Sequence, residues 1–187
     1  MHRSSVSRVT AGRLVVLAAT AALILIAAGA EALRAAGWRI NLTASAPLGL
    51  YHLKPVTSVQ IPRGSLVECC PPAWITPTAF PFYMSGDCPG GGRAMLKTIV
   101  GIPGDQVRVT DDGVNVNGLT LPGSVPRLQS VQDPEIALPR FRGAVLLGPG
   151  QYWVYGGGSL TVYAARSFDS RYYGPITGAQ IRGAVVK

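Results

Sequence analysis

One stretch of this chain is apolar without interruption, and everything after it is cut into short pieces. Leu14 to Ala30 contains only apolar and small residues, with Thr20 and Gly29 its mildest breaks, and it is flanked by Arg13 and Glu31. Its seventeen residues, at a helical rise of about 1.5 Å each, reach about 26 Å, just enough for the hydrocarbon core of a bilayer. Ala32, Leu33, Ala35 and Ala36 extend the run if Glu31 and Arg34 sit at the interface, and Trp38 is then an aromatic belt residue. The pattern predicts a cytoplasmic N-terminus over 1–13, a transmembrane anchor over 14–38 and an exported domain over 39–187. Arg3, Arg8 and Arg13 precede the apolar run, so the positive-inside rule keeps the N-terminus in the cytoplasm. Ala28-Gly29-Ala30 also resembles a small-residue cleavage site, the mark of a removable signal peptide. An uncleaved anchor is the favoured reading, and both readings export the chain beyond Trp38.

Past the anchor, period-two alternation takes over. Leu50–Leu53, Leu66–Cys69, Met95–Val100, Gln106–Thr110, Val114–Asn117, Tyr152–Tyr155, Leu160–Ala164 and Ile181–Val186 read as short strands separated by Gly, Pro and Asp. The clearest hairpin turns at Asp111-Asp112-Gly113 between two alternating runs. Leu119 to Gly143 contains four prolines and little periodicity, which predicts a long surface connection. With no internal repeat and no second amphipathic helix, the expected fold is mainly β, a single domain of antiparallel sheets behind an N-terminal helix.

Composition supports this. The 187 residues are 48% apolar and 14% charged, with 23 glycines and 15 prolines, a turn-rich balance. A net charge of +8 invites a nucleic-acid partner, but five of the arginines lie in residues 1–40. The remainder holds twelve basic and eight acidic residues, and no basic run interleaves with aromatics, so nucleic-acid binding is not expected. The bilayer is the expected non-protein partner. Cys69, Cys70 and Cys88 all lie in the exported part, where disulfides persist. Cys88 is expected to bridge to Cys69 or Cys70, and neighbours do not pair with each other, so one thiol remains. A zinc site from these cysteines and His52 lacks the usual Cys-x₂₋₄-Cys spacing. Neither a metal nor a cofactor is expected.

Several catalytic patterns are excluded. Gly-x-Ser-x-Gly and Ser-x-x-Lys are absent, and His52 is the sole exported histidine, badly placed beside Ser45 for a triad. Gly90 to Thr98 imitates a phosphate loop, but Leu96 stands where glycine must precede the lysine. A serine with a lysine base remains. In Met95-Leu-Lys97-Thr-Ile-Val100, strand alternation puts Lys97 on one face with Met95 and Ile99, an apolar setting for a charge. Burial there depresses a lysine pKa, as a base working near neutrality requires. In Asn41–Tyr51, Pro47 and Gly49 keep Ser45 out of a helix and on an irregular loop. A third stretch, Arg166 to Pro175, is dense in hydrogen-bonding side chains. Asp169 and Arg171, two apart, are placed to pair on one face of an extended segment.

Together these stretches resemble the signal-peptidase (S26) family of Ser/Lys endopeptidases, and most closely its TraF branch of conjugal-transfer maturation peptidases. The resemblance runs through Asn41-x-Thr-x-Ser-x-Pro-x-Gly-x-Tyr51, the cysteine boxes at Cys70 and Cys88, Met-Leu-Lys97, Gly101-x-Pro-Gly-Asp105, Gly113-Val-x-Val-Asn-Gly118 and Ser167-Phe-Asp-Ser-Arg-Tyr-x-Gly-Pro175. It implies that Ser45 is the nucleophile and Lys97 its general base. Thr43 then supplies an oxyanion-hole hydroxyl, Ser167 orients the lysine amine, and Asp169 with Arg171 forms a supporting ion pair. Departures are Thr98 after the base, Gly156-Gly-Gly-Ser159 before the last box, and Tyr163-Ala-Ala ahead of Arg166. The function implied is a serine endopeptidase in the bacterial inner membrane, with its catalytic domain in the periplasm. Its expected partner is an exported precursor resembling a conjugative pilin, released linear or cyclised by its own N-terminus. A general signal peptidase and an inactive assembly module on the same fold are the rival expectations.

Overall fold

The computed structural model describes residues 3–43, 46–56, 61–156, 164 and 166–186, with 3–11 as backbone alone. Two compact units divide the chain at Met1–Arg39 and Ile40–Lys187. The first is dominated by one helix, α1 (Arg3–Ala35), rich in Ala and Leu. Its segment Gly12–Ala35 has 24 residues and a mean hydropathy of 2.3, long and apolar enough to cross a membrane, as the first segment of an exported protein is too. The helix starts well before the uninterrupted apolar run and stops at Ala35, short of Trp38. Gly37, at φ 90°, turns the backbone out of the helix, and Trp38 opens a strand instead.

In chain order the strands are β1 (Trp38–Asn41), β2 (Gly49–Lys54), β3 (Leu66–Cys69), β4 (Met95–Gly101), β5 (Gln106–Thr110), β6 (Gly113–Val116), β7 (Leu119–Thr120), β8 (Gly143–Leu146), β9 (Gln151–Tyr155), β10 (Ile176–Thr177) and β11 (Ile181–Val185). A single helical turn, α2 (Ser170–Tyr173), precedes β10. The larger sheet has the order β1-β2-β11-β3-β4-β9-β10 and the smaller β7-β6-β5-β8, and the strand pairs with recorded register are antiparallel. The fold is mainly β, as expected.

Strands that alternate cleanly were legible. β5 has Val107 and Val109 buried and Gln106, Arg108 and Thr110 exposed, and it pairs with β6 through Val107↔Val116 and Thr110↔Gly113, the predicted hairpin. Two expectations need correction. Of Leu160–Ala164, residues 160–163 lie outside the described residues, and Ala164 is helical, not extended. The connection from Leu119 to Gly143 is not wholly irregular. It opens with β7, carries a bridge between Gln129 and Ala137, and runs into β8. Because β8 leaves Ala144 and Leu146 exposed, alternation could not reveal it.

Two hydrophobic cores share β9. Tyr152 and Val154 face the first, with Val67, Cys69, Ile99, Ile176 and Ile181. Trp153 points the other way into the second, among Val107, Val109, Val114, Val116 and Leu147. A strand buried on both faces carries no polar alternation, and all four of Tyr152–Tyr155 are buried.

Candidate active site

Lys97 lies at the middle of the larger sheet. It sits on β4 opposite Val67 of β3, and β9 flanks β4 on the other side. Lys97 and Ile99 are buried, while Leu96, Thr98 and Val100 on the other face are half-buried, so the period-two pattern does set the lysine inward. Only 3% of Lys97 is exposed, and its Nζ donates to Ser167 Oγ at 2.6 Å. Burial lowers its pKa, because an ammonium loses hydration it cannot recover in an apolar sheet. The nearby Asp169 and Cys69 oppose that shift, and the Arg171 cation adds to it.

Ser167 is held by a fully buried web. Asp169 caps α2, with its carboxylate accepting from the Arg171 backbone N–H at 3.2 Å. The Arg171 side chain, itself fully buried, donates from Nε to Asp169 Oδ1 at 2.8 Å and from Nη2 to Oδ2 at 2.9 Å. Nη2 also reaches the carbonyls of Ser167 at 2.7 Å and Ala164 at 2.5 Å. Asp169 and Arg171 therefore do pair, but not along an extended segment. The cap and first turn of a helix bring residues two apart together, and the Asp169 oxygen that caps the turn also binds the guanidinium. Burial lowers and the Asp169 carboxylate raises the Arg171 pKa, for a net rise. This arginine stays charged.

Gly156 carries no functional signal in its motif, yet the site closes around it. A Cβ built there would fall 1.8 Å from Ser167 Oγ and 3.2 Å from Lys97 Nζ. Its N–H donates to Asp169 Oδ2 at 2.9 Å. Only a residue without a side chain lets Lys97 and Ser167 meet while keeping that bond. The available signal was a glycine directly after the apolar run Tyr152–Tyr155, a position where backbone commonly approaches other groups.

Ser45, the expected nucleophile, lies outside the described residues with Ala44. The chain on both sides of it is described, and Asn41 organises it. Buried Asn41 donates from Nδ2 to the carbonyls of Thr43 at 2.8 Å, Ala46 at 3.0 Å and Pro47 at 3.0 Å. Its Oδ1 accepts from the Thr43 N–H at 3.1 Å and the Thr43 hydroxyl at 2.9 Å. The Thr43 hydroxyl proton is thus engaged by Asn41. That role of Asn41 was not read from the sequence, where it marked only the start of a motif.

Cys70 is the cysteine that pairs with Cys88. The place each cysteine takes in the folded sheet separates the two candidates. Cys69 ends β3 facing the core with Val67, whereas Cys70 lies just past the strand. Closing 18 residues of chain stabilises the fold by roughly 3 kcal/mol in the chain-entropy model. The bridged loop carries Phe80 and Phe82, whose rings pack on Phe168 with centroids 5.3 and 5.4 Å away, beside Ser167. The Cys69 thiol is free and buried, and burial pushes it up to about 12.

The model of the family described as signal peptidase, peptidase S26, matches residues 8–187. The Escherichia coli plasmid transfer protein TraF is 36% identical over 183 residues, covering 95% of this chain and 93% of that one. The Agrobacterium tumefaciens conjugal transfer protein TraF is 31% identical over 164 residues, covering 84% of this chain and 85% of that one. A solved signal peptidase I from Enterococcus faecalis is 22% identical at a TM-score of 0.36, over 69% of this chain and 100% of that one. The chain belongs to the signal peptidase S26 family.

Proposed function

We propose that this member of the signal peptidase S26 family is a membrane-anchored serine endopeptidase with Ser45 as nucleophile and Lys97 as general base. One observation carries the reading: a lysine buried in an apolar sheet, its pKa lowered, with its amine fixed by a serine hydroxyl. The neutral Lys97 amine takes the Ser45 proton as Oγ attacks the scissile carbonyl. The resulting ammonium returns that proton to the departing amine as the acyl-enzyme forms. Water or an amine, deprotonated by Lys97 in turn, then attacks the ester and frees Ser45. Thr43 is assigned to the oxyanion, its hydroxyl turning from Asn41 Oδ1 to the developing charge; one such donor is worth about 10²–10³ in rate. Ser167 holds the amine, and Asp169 with Arg171 holds Ser167.

We assign the substrate to exported precursors, a pilin-like protein in particular, because the relatives are named for plasmid and conjugal transfer. The apolar helix presents the domain at the outer face of the inner membrane, Arg3, Arg8 and Arg13 remaining inside. Purified full-length protein in detergent should cleave such a precursor, with Ser45→Ala and Lys97→Ala both reduced to background. Undiminished cleavage by either variant would sink the dyad. Mass spectrometry of the product separates a linear chain from one closed on its own N-terminus, which weighs one water less.

A further inference from the structure

The support for the lysine does not end at Arg171. Its guanidinium lies over two aromatic rings, with Cζ 4.9 Å from the Tyr155 centroid and 5.4 Å from the Tyr172 centroid. Both tyrosines also grip the long connection after β7. Tyr155 donates its hydroxyl to the Pro122 carbonyl at 2.7 Å, and Tyr172 Oη accepts the Arg127 backbone N–H at 3.2 Å. Arg171 itself donates from Nη1 to the Gly123 carbonyl at 3.3 Å, and its own carbonyl accepts the Phe141 N–H at 2.9 Å. Phe141 then packs edge-on against Trp153, 5.3 Å between centroids. A segment that reads as a surface loop is therefore tied at four points to the floor of the site.

We propose that Tyr155 and Tyr172 are positioning residues for the lysine base, and that the 121–141 connection acts on catalysis through them. The rings fix the plane of the guanidinium, which is desolvated and so strongly attracted to their faces. That plane fixes the Ser167 carbonyl and Asp169, and Ser167 Oγ fixes the Lys97 amine. The connection's two carbonyls and two N–H groups hold the rings and Arg171 in register and close the web to water. The proposal rests on the Ser/Lys reading above.

The test needs no substrate. The chain has three lysines, Lys54, Lys97 and Lys187, so ¹³Cε-lysine NMR on the full-length protein in micelles resolves each, with Lys54→Arg and Lys187→Arg for assignment. The charges facing Lys97 are Asp169 and Arg171 from the α2 side, and the Cys69 thiol faces it from β3. None of these changes in the variants. Tyr155→Leu and Tyr172→Leu remove a ring each. In both, the Lys97 midpoint should rise toward the ordinary lysine value by about one unit as water enters. Tyr155→Phe/Tyr172→Phe keeps both rings and cuts the hydroxyl links to the connection, and a smaller rise is expected. If the Leu variants do not fold, the Phe pair decides. A Lys97 midpoint that stays put in every folded variant overturns the proposal, and one that moves only with the rings removes the part given to the connection. Precursor cleavage by the same variants should show a lower kcat with KM unchanged. Should the wild type cleave no precursor while Lys97 still moves, the peptidase reading falls and the positioning role stands.

Discussion

Two of the arginine–aspartate pairs in this domain are built for different ends. Arg63 and Asp105 sit where β4 hands the chain to β5, with the arginine side chain 43% exposed and the aspartate 9%. Arg171 and Asp169 sit behind the lysine, and both side chains are fully buried. The outer pair clamps a turn: Asp105 also accepts the Ile102 N–H at 2.6 Å and the Asn117 amide at 2.7 Å, and Arg63 also donates to the Val100 carbonyl. Arg63 keeps water as an alternative partner, while Asp105 is buried but accepts four hydrogen bonds. Neither group of the inner pair has water as an alternative. A charge pair without water is a poor source of stability but an exacting constraint on geometry, since any displacement leaves an unpaired ion in a dry site. The outer pair secures the fold, and the inner one secures the position of a hydroxyl.

The strongest way to break this contrast is Asp169→Ala. It strands the buried guanidinium and should cost about 3–5 kcal/mol in denaturant unfolding, with cleavage falling to background. Retained activity in a folded Asp169→Ala protein would show that the inner pair does not govern Ser167. Gly156→Ala tests the geometry without touching a charge. Its methyl collides with Ser167 Oγ, so activity should drop at least tenfold, while overpacking lowers stability by about 1–3 kcal/mol. Equal losses of activity and folded protein would reduce Gly156 to a packing residue.

Titration separates the two regions by sign. At the site, if Lys97 is the proposed neutral base, activity should climb with pH through a lysine pKa below its ordinary 10.4. A profile flat from about pH 5 to 10 argues against a lysine base. At the turn, burial raises the Asp105 pKa, but bonds from the Ile102 N–H, Arg63 and Asn117 outweigh it and leave the value lowered. A depressed carboxylate gives stability that is fully present above the ordinary aspartate pKa and is lost as pH falls through the depressed one. Asp105→Asn is accordingly the mildest change, about 1 kcal/mol at pH 7 after solvent screening, with activity intact. The gap between it and the wild type should close in acid. A gap that persists at low pH would mean that the bonds, not the charge, stabilise the turn.

The amount of the site legible in advance followed how local each relation is. Lys97 was readable as inward because its strand neighbours Met95 and Ile99 declare the face they share with it. The partnership of Asp169 and Arg171 was readable because they are close in sequence, though the helical turn that joins them was not. A four-residue helix has too few periods to show one. Gly156 and Asn41 escaped for another reason. What makes them matter is a close approach or a set of backbone carbonyls, and neither leaves a mark in hydrophobic pattern.

The sequence alone determined the apolar helix, the alternating strands, the face of Lys97 and the chemistry available to the chain, since each depends on residues within a few positions of one another. Tertiary structure alone decided that Ser167, seventy residues from Lys97, meets its amine. It also decided that Cys70 rather than Cys69 bridges to Cys88, and that a proline-rich connection reaches Arg171. Periodicity records which way a side chain points. What it points at is set by how distant strands pair, and that is fixed only when the sheet closes.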